Sequence, residues 1–379
     1  MPEQPNHKNH KVCHMTSVHS SDDTRIFHKM CVSLAKAGYE THLVAPGESF
    51  SADGVSVNGV GPRPASRLKR MFSFAGTVYK KALAIDADIY HFHDPELIPY
   101  GLKLKRSGKI VIYDSHEDYT QTIRESTWIP APLRGIIARI YSVRERQACV
   151  RLDAVVGVVP QLIQRFEKHG ALNTVMITNY PVADKSIPLP PRNRNRKLCF
   201  AGGVVPKWLH ENIISTLSAC DARYDLAGPA ADAYLQKLQS LDGWGRVNYY
   251  GHLPHKEVPS FLRGCAAGLA VHDYIGSLFD RMGVVGVTKL FEYMLNGLPV
   301  ICTDFSVWKD VVESDNCGLC VNPNDTQAIE NAIRYLLDHP DEADVMGQNG
   351  RKAVLEKYNW DTQAAVLIEL YETLLSRKS

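Results

Sequence analysis

Short apolar runs and helical patterns alternate along nearly the whole chain. A short apolar run between turn signals predicts a buried strand, and apolar residues three and four apart predict a helix. In the first half, the runs VCHM (12–15), THLVA (41–45), IYHFH (89–93), KIVIYD (109–114), AVVGVV (154–159) and TVMITN (174–179) predict strands. Strands that alternate with helices form parallel sheets with crossover connections, so the pattern predicts a doubly wound α/β domain.

The alternation stops between residues 181 and 197 and then starts again. This segment contains four prolines and the sequence RNRNRK, which is typical of a linker. After it, the runs KLCFAG (197–202), RYDLAG (223–228), RVNYYG (246–251), AAGLAV (266–271), PVICT (299–303) and GLCV (318–321) predict a second set of strands. We therefore expect two doubly wound, Rossmann-like domains, 1–190 with a linker to about residue 197 and 191–360, with a cleft between them.

Size and composition agree with this division. A chain of 379 residues exceeds the size at which one core usually keeps growing. An apolar content of 45% and a charged content of 22% are typical of soluble globular proteins. The chain shows neither an apolar run near the roughly 20 residues of a membrane span nor a signal-peptide core, so we expect a cytoplasmic protein.

The cysteines indicate a reducing compartment. The chain has nine, an odd number, and most lie inside predicted strands and helices. Cys317 and Cys320 form a single C-x-x-C without the second pair that a zinc site needs. We interpret them as two residues of a short strand.

The net charge of +2 hides basic runs at residues 63–81, 103–109 and 134–151. In these runs Arg and Lys are mixed with large apolar residues, as on a surface that touches anionic lipid. We therefore expect contact with an anionic membrane through residues 63–81, at the inner face of the plasma membrane. Solvated helix faces explain the same runs equally well. Nucleic acid is not expected, because no recognition motif accompanies the charge.

The segment TKLFEYMLNGLPV, residues 288–300, predicts a helix with a binding site at its start. Thr288 is a suitable helix cap, Gly297 suits the left-handed position after the helix, and Pro299 ends it. Free backbone N–H groups and the helix dipole at the N-terminus suit phosphate oxygens, and Lys289 adds a cation there. Glu292, three residues later on the same face, suits the hydroxyls of a ribose.

Several motifs together resemble glycosyltransferase family 4, the retaining enzymes of GT-B fold. They are HSSDDTRIF from residue 19, HDPELIP from residue 93, the glycine pair 202–203, and TKLFEYM with GLPVICTD. Bacterial enzymes that build surface polysaccharides are the most similar. The resemblance implies the GT-B fold, with the last helix, 361–379, packing back on the first domain. A nucleotide-sugar donor is then bound by the second domain.

The resemblance assigns Lys289 to the donor diphosphate and Glu292 to the ribose, and counts both, with His116, as catalytic. Arg281 is a second candidate for the diphosphate. The family usually has a glutamate eight residues before Glu292, where this chain has Val284. Contacts to the sugar hydroxyls must then come from backbone or other groups nearby. The remaining donor-binding candidates are Gly202, Gly203, Lys207, Val285, Gly286, Thr288 and Leu290.

The first domain is expected to supply the acceptor side. His116, in YDSHEDY, matches the family histidine beside the anomeric region of the sugar, and Glu117 follows it. His93 and Asp94 end the preceding strand and are candidates to orient the acceptor hydroxyl. Arg25 follows SSDDT, where the family often has a glycine pair, and is a candidate for a phosphate contact. A capping role for the aspartates of SSDDT is the alternative.

The implied reaction is sugar transfer from a nucleotide diphosphate, most commonly UDP in this family, to a glycan or polyprenyl-linked hydroxyl with retention of configuration. We expect no cofactor and no metal. Two alternatives stay open. A nucleotide-sugar 2-epimerase would use a similar architecture, and an inactive scaffold of a polysaccharide assembly complex would explain Val284 and the altered first loop.

Overall fold

The computed structural model describes residues 10–126, 128–184, 195–274, 281–284 and 287–378. The chain divides into two compact units. The first consists of Met1–Asn179 and Asp361–Ser379, and the second of Tyr180–Trp360. The functional domains 1–190, 191–360 and 361–379 stay predictions.

The first unit is built on a sheet of eight strands in its described part, in the order β3-β4-β2-β1-β5-β6-β7-β8. All neighbouring strands are parallel except β3 and β4, which pair antiparallel. The strands are β1 (Lys11–Met15), β2 (Glu40–Ala45), β3 (Phe50–Ala52), β4 (Val55–Gly59), β5 (Ile89–Phe92), β6 (Ile110–Ser115), β7 (Ala154–Gly157) and β8 (Thr174–Met176). The order reverses direction at β1, between β2 and β5, which is where doubly wound domains bind ligands.

Helices connect these strands. They are α1 (Val32–Lys36), α2 (Arg67–Lys69), α3 (Ala75–Leu83), α4 (Ile98–Arg106), α5 (Tyr119–Glu125), α6 (Ala131–Arg151) and α7 (Pro160–Lys168). A π-helical segment, Thr24–Cys31, runs directly into α1, and Asp23 caps it by accepting bonds from the N–H groups of Arg25 and Ile26. The alternative interpretation of the SSDDT aspartates as caps is thus confirmed for Asp23.

The second unit has a sheet of six parallel strands in its described part, in the order β11-β10-β9-β12-β13-β14. The strands are β9 (Lys197–Ala201), β10 (Arg223–Ala227), β11 (Val247–Gly251), β12 (Ala267–Ala270), β13 (Val300–Thr303) and β14 (Gly318–Val321). The helices are α8 (His210–Thr216), α9 (Asp232–Gln239), α10 (Val258–Arg263), α11 (Thr288–Leu295), α12 (Ser306–Ser314), α13 (Thr326–Asp338) and α14 (Pro340–Glu356). A final helix, α15 (Trp360–Ser376), follows. The order in which the chain adds strands to the sheet changes direction at β9, which lies between β10 and β12.

Every strand that the sequence predicts is present, but β3 and β4 were missed. They form a hairpin around Asp53 and Gly54, whose φ angles are 50° and 79°. Asp-Gly between short runs is a strong hairpin signal, because both residues tolerate positive φ. The signal was therefore available in the sequence, and the polar character of FSA and VSVNG obscured it.

Glycines let α11 approach the second sheet closely and let α14 approach the end of α11. A Cβ atom at Gly268 of β12 would lie 2.4 Å from the Tyr293 ring of α11. A Cβ atom at Gly347 of α14 would lie 2.0 Å from the carbonyl oxygen of Gly297, just after α11. Tyr293 is fully buried. The position of α11, and of the residues at its start, therefore depends on these two glycines.

Substitution Gly347→Ala should destabilise the protein by about 1–3 kcal/mol, because the added methyl group would overlap a backbone oxygen that cannot move alone. The free energy of unfolding from chemical denaturation measures the effect. Gly135→Ala in α6 is the matched control, since its Cβ atom would meet nothing within 4 Å. It should stabilise by roughly 0.5–1 kcal/mol through helix propensity. Equal effects of the two substitutions would contradict the packing argument.

Candidate functional site

Lys289 and Gly202 touch where α11 begins and β9 ends. A Cβ atom at Gly202 would lie 2.1 Å from Lys289 Nζ, and Gly202 has a φ of +143°. The ammonium also lies 5.2 Å from the ring centre of Phe200 and 5.3 Å from that of Trp208. Two predicted donor-binding residues are thus brought together, and the aromatic faces help to hold the cation between them.

Lys289 is a half-buried cation that lacks a close anion. Within the part of the chain that the structure describes, no carboxylate lies within 4.0 Å of its Nζ. Burial lowers the pKa of Lys289; the Glu292 carboxylate opposes this shift, and the Lys207 ammonium adds to it. A bound anion would compensate for the lost hydration of the ammonium, so this position favours a phosphate ligand.

The start of α11 differs from the predicted one. The helix begins at Thr288, and Val287 stands at the cap position without a side-chain hydrogen bond to the helix. The prediction that Thr288 caps the helix is therefore wrong: its backbone already has helical geometry, so its side chain lies too far along the helix. First-turn N–H groups without a side-chain cap suit an external anion.

The other end of α11 agrees with the prediction. Gly297 has a φ of +73° and donates its N–H to Met294, while Leu298 donates to Tyr293. This pattern satisfies the last carbonyls of the helix. Leu290 is fully buried and thus closed to direct contact with a ligand as placed, whereas Glu292 is half-buried.

The loop before α11 is described only in part. Val285 and Gly286 lie outside the described residues. The carbonyl of Val284 accepts a hydrogen bond of 2.8 Å from the indole N–H of Trp308, which fixes this end of the loop. Arg281 is exposed and lies 4.7 Å from the ring centre of Tyr274. Its guanidinium is thus held beside an aromatic ring at the surface.

Lys207 and Gly203 lie in the loop that follows β9, and both are exposed. Lys207 lines a cavity of about 510 Å³ together with a second cation, Lys237, and two carboxylates, Glu211 and Asp273. The uncharged residues of the lining are Pro206, Leu209 and Asn212. The backbone carbonyl of Lys207 accepts a bond of 2.8 Å from the N–H of Asp273, which joins this loop to the end of β12.

His272 is a residue at this edge that the sequence analysis missed. It follows β12, its ring lies 4.6 Å from that of Trp208, and its Nδ1 is 2.7 Å from the carbonyl of Asp273. Burial lowers the pKa of His272 to about 4. The imidazole is therefore neutral near pH 7. The sequence could have indicated His272 as a candidate site residue, because this histidine directly follows a predicted strand at the switch point of the sheet.

In the first unit, Asp114 lies at the centre of a buried polar cluster at the end of β6. Both oxygens of its carboxylate accept hydrogen bonds from the Arg25 guanidinium, at 3.0–3.3 Å. Asp114 is fully buried and Arg25 is 5% exposed. Burial alone raises the pKa of Asp114, but Arg25 and the neighbouring histidines outweigh it and hold the pKa well below its usual range.

Arg25 therefore has a partner that the sequence analysis did not identify. As placed, its guanidinium neutralises Asp114 instead of pointing freely at a ligand. A single acidic residue at the end of the apolar run KIVIYD was the available signal for Asp114. Arg25 stays a predicted phosphate contact. In that role its guanidinium would have to bond the phosphate and the Asp114 carboxylate at the same time.

The predicted acceptor-side histidines lie around Asp114. His93 Nδ1 is 3.4 Å and His116 Nε2 is 3.5 Å from the same carboxylate oxygen. His91, which was not predicted, has its Nε2 at 3.8 Å. His93 and His91 are two residues apart on one strand, so their side chains share a face of the sheet.

Asp94 and Glu117 differ in their surroundings. Asp94 is fully buried, and its Oδ2 accepts bonds from the N–H of Ser17 at 2.6 Å and the hydroxyl of Thr16 at 2.8 Å. It thereby fixes the loop after β1. Glu117 is exposed and accepts a bond of 3.3 Å from the hydroxyl of Thr122. Its carboxylate is the more accessible of the two.

The cluster could also offer metal ligands. Ligand atoms of His91, His93 and Asp114 all lie within 4.8 Å of one another. However, the Arg25 guanidinium already bonds both oxygens of Asp114 and would repel a cation placed there. The residues present therefore fit an internal ion pair better than a metal ion.

Two family profiles match the chain. Residues 24–179 match the profile described as Glycosyltransferase Family 4, and residues 183–353 match the one described as Glycosyl transferases group 1. Among curated relatives, an MMP alpha-(1->4)-mannosyltransferase of Mycolicibacterium hassiacum is 30% identical over 104 residues, 27% of this chain and 24% of the relative. A GDP-mannose-dependent alpha-(1-6)-phosphatidylinositol monomannoside mannosyltransferase of Mycobacterium tuberculosis is 26% identical over 179 residues, 44% of each chain. The matches thus span less than half of these relatives.

Solved structures of similar fold cover nearly the whole chain. Sucrose-phosphate synthase from Thermosynechococcus elongatus gives a TM-score of 0.74 at 16% identity over 97% of this chain and 100% of that one. WaaG, a glycosyltransferase involved in lipopolysaccharide biosynthesis, gives 0.69 at 13% identity over 95% and 99%. Anabaena HepE in complex with UDP and glucose gives 0.66 at 14% identity over 97% and 100%. At these identities the likeness shows the fold, and the predicted GT-B fold is confirmed.

The two profile matches adjoin near residue 180 and together span most of the chain, with one profile on each α/β unit. Profile and fold agree with the motifs from which the resemblance was drawn. The chain belongs to glycosyltransferase family 4 and is an enzyme of the glycosyltransferase class with the GT-B fold.

Proposed function

We propose that the protein moves a sugar from a nucleotide-diphosphate donor, a UDP-sugar, to a hydroxyl of a glycan or lipid-linked acceptor in polysaccharide biosynthesis, with retention of configuration. The contact between the Lys289 ammonium and the Gly202 backbone at the start of α11 carries the proposal. It places a half-buried cation and a helix N-terminus together, which is what a diphosphate requires. Structures of Anabaena HepE with UDP and glucose, and of WaaG, which is involved in lipopolysaccharide biosynthesis, support the donor and acceptor classes.

On the donor side, the protein would act by stabilising charge on the departing diphosphate. The Lys289 ammonium and the first N–H groups of α11 would bind its oxygens, and Lys207 and Arg281 would add positive charge. Glu292 would accept hydrogen bonds from the ribose hydroxyls. The half-buried position of Lys289 strengthens its interaction with an anion relative to a surface lysine.

On the acceptor side, no carboxylate nucleophile is required. The acceptor oxygen would attack the anomeric carbon on the face from which the diphosphate leaves, forming the new C–O bond as the old one breaks. The hydroxyl proton would pass to the leaving diphosphate oxygen, so that charge and atoms balance. His116, with Glu117, His93 and Asp94 nearby, would position hydroxyl groups for this step.

Lys289→Ala and Glu292→Ala should each weaken nucleotide binding by about tenfold or more, the loss expected for one charge-assisted contact of about 1.4 kcal/mol. Isothermal calorimetry with UDP and GDP measures the affinities, after a thermal-shift screen with common nucleotide sugars has selected the best donor. Lys309→Ala, an exposed lysine of α12 that pairs with Glu313, is the control and should bind as the native protein does. Unchanged affinity in both site variants would show that the donor binds elsewhere.

Retention of configuration gives a second prediction. With the selected donor and a suitable acceptor, the first product detected by proton NMR should have the same anomeric configuration as the donor. The coupling constant of the anomeric proton distinguishes the two outcomes before mutarotation. An inverted product would exclude attack from the leaving-group face.

The alternatives give different results in the same assays. An epimerase would convert UDP-GlcNAc without any acceptor, and an inactive scaffold would show neither donor hydrolysis nor nucleotide binding. The arrangement of Lys289, Gly202 and the uncapped start of α11 favours a nucleotide-binding transferase over a scaffold.

We also propose that the first unit contacts an anionic membrane, through a wider surface than residues 63–81. In that run, Arg63 bonds the carbonyl of Val18 at 2.8 Å and Arg70 bonds Glu96 at 2.8 Å, so part of its charge is used internally. Arg67 lies 4.2 Å from the ring centre of Trp128, which is 55% exposed and precedes α6. This contact joins the run to α6.

The outer face of α6 combines exposed apolar and cationic side chains. Leu133, Ile136, Ile140 and Val143 are 47–57% exposed. The exposed charges of the helix are all positive: Arg139, Arg144, Arg146 and Arg151. This combination favours an anionic lipid surface, because a second copy of the same face would repel it. In the described residues, no helix combines the length and apolar character needed to cross a bilayer.

Substitution of Ile136 and Ile140 by Glu should reduce binding to vesicles of phosphatidylcholine with phosphatidylglycerol by about tenfold or more, because each apolar side chain contributes roughly 1.5–3 kcal/mol when buried. Binding of the native protein should also fall with salt. Co-sedimentation measures both. Val345→Glu in α14, at a position 52% exposed, is the control. Salt-independent binding, or equal binding by all variants, would contradict this surface.

A further inference from the structure

Five side chains of the first unit form one continuous series of hydrogen bonds. His116 Nε2 lies 3.1 Å from His93 Nδ1, and His93 Nε2 lies 2.9 Å from His14 Nδ1. His14 Nε2 lies 3.0 Å from the hydroxyl of Tyr371 in α15, which lies 2.9 Å from His91 Nδ1. We call this series the histidine network.

The sequence places the network at the switch point of the first sheet. His14 and His91 are register partners on the neighbouring strands β1 and β5. His93 extends β5 by one residue on the same face as His91. His14, His91 and His93 are all fully buried. Nothing in the proposed chemistry accounts for His14, His91 or Tyr371.

The hydrogen atoms of the network can be counted. Burial lowers the pKa values of His14 and His91 well below normal and that of His93 to about 4, so these rings are neutral near pH 7. A neutral imidazole has one N–H and one bare nitrogen, and tyrosine has one O–H. Each inner member therefore donates one bond and accepts one. When every hydrogen takes part in a bond, each member donates to the next one along the whole series. Only two orders are then possible: donation from His116 towards His91, or donation from His91 towards His116.

Asp114 selects between the two orders. Among the residues that the structure describes, buried His91 Nε2 has no hydrogen-bond partner, and it lies 3.8 Å from Asp114 Oδ2. An N–H directed at an ionised carboxylate is favourable, whereas a bare nitrogen there would be repelled. A hydrogen on His91 Nε2 leaves one bare nitrogen beside the carboxylate, His93 Nδ1 at 3.4 Å, whereas the opposite order leaves two, His91 Nε2 and His116 Nε2 at 3.5 Å. The hydrogen of His91 therefore lies on Nε2. Nδ1 of His91 must then accept from Tyr371, and the same direction follows to His116.

The last bond of the series determines His116. In the selected order His116 Nε2 carries the hydrogen and donates it to His93 Nδ1. His116 Nε2 is also 3.5 Å from Asp114 Oδ2, so the same carboxylate favours a hydrogen at both ends of the network. In the neutral ring the other nitrogen, Nδ1, is then bare. The side chain of His116 is 15% exposed, in contrast to the fully buried rings behind it.

We propose that the histidine network holds His116 in the Nε2–H tautomer, with Nδ1 as a hydrogen-bond acceptor for a substrate hydroxyl, and that Tyr371 is a positioning residue for this state. The role toward substrate rests on the proposed function. The tautomer itself does not, because it is a property of the protein without ligand. Tyr371 acts at a distance of three hydrogen bonds, through His14 and His93.

The tautomer can be measured directly. NMR of the full chain with ¹⁵N-labelled histidine separates protonated from bare ring nitrogens by their shifts, and His116→Gln identifies the signals of His116. The expected result is a protonated Nε2 and a bare Nδ1 in the protein without ligand. Protonation of His116 on Nδ1 would overturn the proposal, whether or not any variant folds.

Tyr371→Phe tests the positioning role. Loss of the hydroxyl removes the donor to His91 and the acceptor of His14, so the contact of His91 with Asp114 no longer influences His116. The remaining Asp114 contacts, with His93 Nδ1 at 3.4 Å and His116 Nε2 at 3.5 Å, favour opposite orders, so His116 should become a mixture of tautomers. With the selected nucleotide sugar, kcat should fall about tenfold while KM changes less than about twofold, since only orientation is lost. Tyr90→Phe is the matched control. It removes a buried hydroxyl on β5 that bonds Ala87 and Ala82, outside the network.

The two proposals fail in different ways. An unchanged His116 tautomer in Tyr371→Phe, or an equal change in Tyr90→Phe, would overturn the positioning role. A protein that shows the expected tautomer and its loss in Tyr371→Phe, but no transfer with any nucleotide sugar, would confirm the network and overturn the proposed function.

Discussion

The close approach of α11 to its sheet is the constraint on which the second unit depends. A helix can lie this near a sheet only where side chains are missing, and Gly268 and Gly202 provide those places, while Gly347 lets α14 approach the end of α11. Gly228 continues the pattern, since a Cβ atom there would lie 1.8 Å from the carbonyl oxygen of Gly202. The same absence of side chains brings Lys289 onto the backbone at the end of β9. Packing and ligand chemistry therefore share one cause.

The first unit solves a different problem, which is how to keep polar groups inside a parallel sheet. A buried carboxylate is costly unless it is paired and hydrogen-bonded. Asp114 is paired with Arg25 and surrounded by imidazoles, and these in turn satisfy one another. The ionised carboxylate then orders the hydrogens of its neighbours. Charge at one buried position thus influences a ring that reaches the surface.

The sequence predicts the fold well because parallel sheets are buried on both faces and their strands read as apolar runs. The sequence also predicts α11 and its end at Gly297, because apolar periodicity and a glycine after the helix are local signals. The start of α11 was misplaced by one residue, because Thr288 is as suitable inside the first turn as at the cap. The β3–β4 hairpin was missed because its strands are short and polar. The pairing of Arg25 with Asp114 and the bonds of Tyr371 to His14 and His91 could not be derived, because these residues are distant in sequence and meet only in the folded unit.

The discontinuous first unit has a consequence for how the protein reaches its final state. Residues up to Asn179 belong to this unit, but so does the segment from Asp361 onward, which supplies Tyr371. During synthesis, the sheet of the first unit can form while the hydroxyl that completes the histidine network is still inside the ribosome. Until residue 371 emerges, His14 and His91 lack their shared partner. The tautomer of His116 is thus fixed only after the second unit has been made.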